Sequence, residues 1–297
     1  MQLHNLTTKH YTLLLVLAML LWGGGWSALK ILTADLDAHI IIFWRFFFMS
    51  LAFLPILYFL KEPLVLRKKS LPFVGASSVL NIAFMVFSFF GIKYGYAGGG
   101  SVIITTLTPL VSFILGVLFF GKRLSLKELF GLFLGVVGGA VMMQVNDLTL
   151  FMQPQNLYFL LCALSWAGVT LLAQYSQAHI HPVHYSFYIA VVATVVTFFY
   201  GYGDGLMLVF EQDSRFWVAL IYLAVLGQSV ATTIFFMASG VLGSEKTSAF
   251  MFLVPFFALL SAYVVLNEDI MLHIVVGGLL SSVAIFFINR KNDDKTS

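Results

Sequence analysis

YGYAGGGSVIITTLTPLVSFILGVLFFG, residues 94–121, runs for 28 residues without a charged side chain and carries Pro109 near its middle. A helix of about 20 apolar residues crosses the roughly 30 Å hydrocarbon core of a bilayer, and an ionised group at mid-depth is costly, so uncharged runs of this length mark membrane spans. The pattern continues on both sides. Residues 11–29, 70–92, 129–146, 148–203, 216–244, 247–267 and 270–289 are also free of Asp, Glu, Lys and Arg, and 38–60 is interrupted only by Arg45. The run 148–203 is too long for one span and is punctuated by Gln-Ala-His-Ile-His-Pro at 177–182. Ten spans follow, near 11–30, 38–60, 71–92, 96–119, 126–145, 156–176, 184–202, 216–238, 244–266 and 270–289. The fold class is therefore an all-α polytopic membrane protein.

Composition agrees. The 297 residues are 60% hydrophobic, 16% aromatic and 10% charged, with a mean hydropathy of +0.96. Soluble domains carry about 25% charged residues, so this chain lacks the polar surface to coat a globule in water. The connections are short and leave no room for a sizeable soluble domain. Residues 11–28 also have the outline of a secretory signal, with Lys9 and His10 ahead of them, but removing them would leave nine spans. The single Cys162 excludes an intrachain disulfide and a redox pair.

With the N-terminus in the cytoplasm, twelve Lys and Arg fall on the inner side: Lys9, Lys61, Arg67, Lys68, Lys69, Lys122, Arg123, Lys127, Lys246, Arg290, Lys291 and Lys295. Three, Lys30, Lys93 and Arg215, fall outside. The positive-inside rule then places both termini in the cytoplasm.

Sliding the chain on itself by 146 residues puts Pro109 on Pro255, Ser101 on Thr247, Leu126 on Leu272 and Gly131 on Gly277. Leu21-Trp22 meets Ser165-Trp166 at an offset of 144. Two halves of five spans result, 1–145 and 150–290, followed by a short cytoplasmic tail, 291–297. An odd number of spans per half inverts the second half, an arrangement common among secondary transporters, whose sites lie between the repeats.

Leu-Trp-Gly-Gly-Gly-Trp at 21–26, Trp-Arg-Phe at 44–46, Gly-Ile-Lys-Tyr-Gly-Tyr-Ala-Gly-Gly-Gly-Ser at 91–101, Leu-Thr-Pro-Leu at 107–110 and Val-Pro-Phe-Phe-Ala at 254–258, leading to Leu-Asn-Glu at 266–268, resemble the EamA branch of the drug/metabolite transporter superfamily. The resemblance spans essentially the whole chain. It implies a metabolite carrier of the bacterial inner membrane, commonly an exporter of amino acids or related compounds, with a central cavity between the halves. The family's fourth span usually ends in Gly-Glu; here Lys122 occupies that place, while the second half keeps Glu268.

Candidate cavity residues follow from polar or bulky groups at span depth. Asn81 and Gln228 are amides about ten residues from their span ends, and burying such groups against lipid is expensive, so they should face protein or water. Trp22, Trp26 and Trp166 are either interfacial anchors or cavity walls. Ser101, Thr105, Thr170 and Thr247 offer hydroxyls, although such groups more often bond their own helix. Pro109 and Pro255 each free a carbonyl one turn earlier, which suits a kink, and Gly98, Gly99 and Gly100 open the fourth span either for close packing or for gating. Arg45 is the one charge well inside a span and reads either as a structural, snorkelling residue or as a recognition group for an anion. Gln174, Tyr175, Tyr185 and Tyr188 are weaker candidates. His179, His181 and His184 do not have the spacing of a closed zinc site, so no metal and no cofactor is expected.

No Walker loop, His-Glu-x-x-His or nucleophile elbow occurs, which argues against an ATP-driven pump and an enzyme. No span centre carries Asp or Glu, which argues against a direct proton relay. The cations lie at the cytoplasmic rim, as topology alone requires, so no nucleic-acid partner is expected. The expected partners are the lipid bilayer and a small-molecule substrate; oligomeric state stays open, a monomer included. The reading is a carrier that moves a small neutral or zwitterionic metabolite, most simply an amino acid, by alternating access. A broad drug or amphipath efflux carrier is the alternative within the class. A channel or a membrane scaffold is the alternative outside it.

Overall fold

The computed structural model describes residues 7–34, 36–60, 64–94, 97–142, 154, 156–266 and 272–289. Among the described residues the regular structure is all helical. The chain runs through α1 (Thr8–Leu32), α2 (Ala38–Leu60), α3 (Leu71–Tyr94), α4 (Ala97–Phe120), α5 (Leu126–Met142), α6 (Asn156–Ser176), α7 (Pro182–Gly201), α8 (Ser214–Leu242), α9 (244–266) and α10 (Leu272–Asn289). Glu268, the tail 291–297 and the cations Lys61, Arg290, Lys291 and Lys295 lie outside the described residues.

Helix starts are written locally. Ser125 and Glu128 cap each other's backbone at the head of α5, the Ser125 N–H donating to Glu128 Oε2 at 2.8 Å and the Glu128 N–H to Ser125 Oγ at 3.2 Å. Asp213 Oδ1 accepts from the Phe216 N–H at 2.8 Å to start α8. His181 caps α7, its Nδ1 accepting from the Val183 N–H at 3.3 Å, with Pro182 in the first helical position. The histidine-rich connection thus supplies a helix cap. Gly243, at φ +92°, makes the sharp turn from α8 to α9, a backbone region that glycine adopts without strain.

Among the described residues, eight helices are long and apolar enough to cross a membrane: α1, α2, α3, α4, α6, α7, α8 and α9. Outward-facing Leu13, Leu118, Phe119, Phe133, Phe199, Val218 and Val264 form the apolar belt that lipid requires. The two shorter helices, α5 and α10, pack on each other more extensively than any other pair. Their contact relies on glycine: a Cβ on Gly138 would sit 2.9 Å from the Gly277 carbonyl oxygen.

Helix pairing follows a rule. α1 packs against α8 and α9, α6 packs against α3 and α4, α2 packs against α7, and α5 packs against α10. Exchanging every helix for the one five places away reproduces these pairs, although α6 also packs on α8 and α1 makes no comparable contact with α3 among the described residues.

Two helices depart from regular geometry. α8 widens into a π-helix over Tyr222–Ala231, and α9 tightens into a 3-10 turn over Phe250–Leu253, just ahead of Pro255. The proline has no N–H to give the Met251 carbonyl, and the Val254 N–H reaches that oxygen instead. Pro109 lies buried inside α4.

Candidate functional site

A cavity of about 130 Å³ is walled by α1, α2, α3, α4, α6, α8 and α9. The residues that reach it recur at helical spacing. α1 contributes Trp22, Gly25, Trp26 and Leu29; α2 contributes Arg45 and Met49; α3 contributes Asn81, Phe84, Met85 and Ser88. Positions three, four and seven apart share one helix face, so each set is a single stripe. Thr105 enters from α4, Trp166 from α6, Gly227, Gln228 and Thr232 from α8, and Met251 and Val254 from α9.

The polar groups are few, and those on and against α8 are placed by its irregular part. In a π-helix, carbonyls pair five residues along the chain rather than four, and such segments recur at functional sites. Here Ser229 Oγ donates to the Ala224 carbonyl at 2.9 Å, and the Gly227 carbonyl accepts from Thr232 Oγ1 at 3.3 Å and from Trp22 Nε1 at 3.0 Å. Gln228, on the same wide turn, accepts through Oε1 from Arg45 Nε at 3.2 Å. Arg45 is 8% exposed, and among the described residues that is its only hydrogen bond and no carboxylate pairs with it. Across the cavity, Asn81 Oδ1 and Trp166 Nε1 are buried and bond nothing among the described residues.

Aromatic rings form the rest of the wall. Trp22 meets Trp166 edge to face at 5.3 Å between centroids and Phe235 at 4.8 Å, and Trp166 meets Phe84 at 5.1 Å.

The cavity lies toward one end of the bundle. It uses the second half of α1, the middle and second half of α3 and the first halves of α2 and α4, on the side where α1 stops and α2 begins, while Met251 and Val254 reach it from the first half of α9, which starts at the other end. The opposite end is closed by contacts that tie α4, α6, α8 and α9 together. Lys122 Nζ pairs with Glu245 Oε2 at 2.6 Å, Ser112 Oγ donates to Ser248 Oγ at 2.9 Å, the Ser244 N–H donates to Gln174 Oε1 at 2.7 Å, and Gln177 Nε2 donates to the Phe236 carbonyl at 2.6 Å. Phe120 stacks on Tyr175 at 4.3 Å. Glu245 is 4% exposed and fits because Gly116, facing it, has no side chain.

The structure brings together Trp22, Trp26, Arg45, Asn81, Thr105, Trp166 and Gln228 around one cavity. Three expected residues lie elsewhere, each for a local reason. Thr170 is fully buried and donates back to the Trp166 carbonyl at 2.8 Å. Ser101 is buried near the start of α4, where its carbonyl accepts from Thr105 Oγ1 at 2.9 Å. Thr247 is buried in the first turn of α9, beside Glu245 at the closed end. Gly98, Gly99 and Gly100 form the first turn of α4, and a Cβ on Gly100 would collide with the Phe159 ring of α6. Of the weaker candidates, Gln174 and Tyr175 belong to the closed end, and Tyr185 bonds Ser77.

Sequence reasoning did not find Met49, Met85, Ser88 or Thr232; the spacing 81-85-88 and 45-49 held that information once Asn81 and Arg45 were chosen. The Lys122–Glu245 pair left no such trace, because its partners are 123 residues apart.

An apolar helical bundle enclosing a central cavity, sealed at one end, is the construction of a membrane transporter. The chain belongs to the EamA-like transporter family, whose model matches residues 10–144 and again 153–290. It is thus an integral membrane protein of a family of transporters. It is 22% identical over 279 residues to the uncharacterized transporter YoaV of Bacillus subtilis (strain 168), covering 90% of this chain and 92% of that one. It is 27% identical over 268 residues to an S-adenosylmethionine uptake transporter of Rickettsia prowazekii (strain Madrid E), covering 87% and 85%. A solved crystal structure superimposes with a TM-score of 0.75 at 15% identity, covering 96% of this chain and all of the other, and so shares its fold.

Proposed function

We propose that the protein is a secondary transporter that carries a small neutral or zwitterionic metabolite, most simply an apolar or aromatic amino acid, through the central cavity by alternating access. The observation that carries this reading is the cavity itself, lined from both halves and sealed at one end by contacts between α4 of the first half and α9 of the second. Alternating access needs such a seal on one side at a time.

The same proposal takes the fold as ten spans, with α5 and α10 crossing beside the eight longer helices, in two inverted five-helix repeats, 1–145 and 150–290. The repeating helix pairs and the twofold match of the family model support it. The charge bias supports cytoplasmic termini, so the sealed end with Lys122 and Glu245 faces the cytoplasm and the cavity faces outward. A bacterial inner membrane and export of the cargo are what the resemblance implies. Aromatic walls and a single arginine suit an amino acid better than a sugar phosphate, which would want several cations.

The relatives named for S-adenosylmethionine uptake make that compound the second cargo to test. It is an amino acid carrying a sulfonium, and tryptophan faces attract such cations.

Counterflow in proteoliposomes, with labelled amino acids and S-adenosylmethionine, with and without a pH gradient, decides between these readings. Saturable counterflow of one class is expected. Its absence for every amino acid, from folded protein, would overturn the amino-acid reading and turn attention to a drug panel; flux that never saturates would mark a channel.

A further inference from the structure

Two cations of the helical bundle, the half-exposed Lys122 and the buried Arg45, are handled in opposite ways. Lys122 is neutralised by Glu245 at 2.6 Å in the sealed end. Arg45, nearly as deeply buried as Glu245, gives one N–H to the neutral amide oxygen of Gln228 and has no anion beside it among the described residues. A guanidinium carries five N–H donors, four of them on the two Nη atoms, in a planar fork that matches the two oxygens of a carboxylate. Here the Gln228 bond consumes the Nε donor and fixes the plane of the group, while the Nη pair remains. A charge in a membrane interior is tolerated where it is paired or faces a water-filled cavity, and Arg45 lines the cavity. An arginine serving only to join α2 to α8 would find an anion or several carbonyls, as Lys122 does.

The remaining polar wall complements a carboxylate on that fork. Asn81 Oδ1, an acceptor with no partner among the described residues, suits an ammonium or another N–H of the same cargo. The faces of Trp22, Trp26 and Trp166 suit an apolar body.

We infer that Arg45, oriented by Gln228, is the carboxylate anchor of the cavity, so that the cargo is a carboxylate-bearing metabolite with an apolar body. This rests on the cavity being the transport site, and it narrows the cargo to molecules that keep a free carboxylate.

The first test uses the unaltered protein. Ligand-induced thermal stabilisation in detergent reports binding without transport, since a ligand of the folded state raises stability by RT ln(1 + [L]/Kd). The twenty common amino acids are compared first, and for the strongest binder the amide, the decarboxylated amine and the acid lacking the amino group follow. The amide and the amine should bind roughly ten- to a hundredfold more weakly, the range for a hydrogen-bonded charge left unpaired. The acid lacking the amine should keep most of the affinity. The second test repeats the series with Arg45→Gln and Arg45→Lys. In Arg45→Gln the amino acid and its amide should bind alike, whereas Arg45→Lys should keep a reduced preference for the acid. Equal binding of amino acid and amide by the unaltered protein, or no stabilisation by any amino acid, overturns the inference. Saturable counterflow together with equal binding would leave the transporter reading standing while removing the anchor. Carboxylate-dependent binding without counterflow would do the reverse.

Discussion

Trp22 carries one hydrogen-bond donor and places it on the Gly227 carbonyl of the wide turn in α8, at 3.0 Å. Trp22→Phe keeps the ring contacts with Trp166 and Phe235 but loses that bond, so it should lower stability by about 0.5–1.5 kcal/mol. Counterflow should weaken more than stability does, because the same turn carries Gln228; thermal denaturation in detergent and transport rate on one sample check the two effects separately. A sharper contrast exists between glycines. A Cβ on Gly23 would lie 2.7 Å from the Phe257 carbonyl carbon and 2.8 Å from the Ala258 nitrogen, backbone atoms that cannot step aside, whereas one on Gly75 meets nothing within 4 Å. Gly23→Ala should therefore cost about 1–3 kcal/mol by overpacking, while Gly75→Ala stays within about 0.5 kcal/mol. Equal melting temperatures for the two would show that α1 and α9 are not held at this distance.

The elements were largely legible in the sequence because charges are confined to their ends. The expected span 38–60 coincides with α2 and 156–176 with α6. What charge spacing could not show is how a helix deviates inside its span. Tyr222–Ala231 contains no proline and no charge, and its wide turn is held partly by bonds to distant α1 and α2, from Trp22 and from Ser229 to the Met49 carbonyl at 3.4 Å. Lys122 and Glu245 each stand at the edge of an apolar run, and nothing in that position shows that α4 and α9 bring them together. Lys122→Ala leaves Glu245 buried without its cation. The cost should be about 1–3 kcal/mol, below that of a wholly buried pair because Lys122 is 43% exposed. Lys122→Glu combined with Glu245→Lys should recover part of it. In a background with Cys162 replaced by Ser, a Thr247→Cys reporter should react faster with a cytoplasmic maleimide once Glu245→Gln is added. An unchanged rate would mean that the pair is no part of the seal.

For the molecule as a whole, orientation rests on the bias of cations and is open to a direct check. In the same cysteine-free background, Asp204→Cys, between α7 and α8, should be labelled from outside intact cells by an impermeant reagent. Leu66→Cys, between α2 and α3, should be labelled only after permeabilisation, and the reverse result would invert the topology. The proposed division into halves draws on matched prolines and tryptophans, while the cavity was visible only residue by residue. Asn81, Gln228 and the three tryptophans were named from depth alone, whereas Ser101, Thr170 and Thr247, named in the same way, lie away from the cavity because depth does not say which way a helix face turns. That same dependence on rotation gives the π-helical stretch of α8 a consequence for sequence change. One residue corresponds to about 100° of helix rotation. A single-residue deletion within Tyr222–Ala231 that restored the ordinary ladder would take up the extra residue of the wide turn, leaving the helix on either side near its present register while re-aiming the side chains of the stretch itself. Gln228 would swing away from Arg45 while every side chain of the site remained present in the chain, so here the spacing of residues, as much as their identity, is what insertion or deletion would destroy.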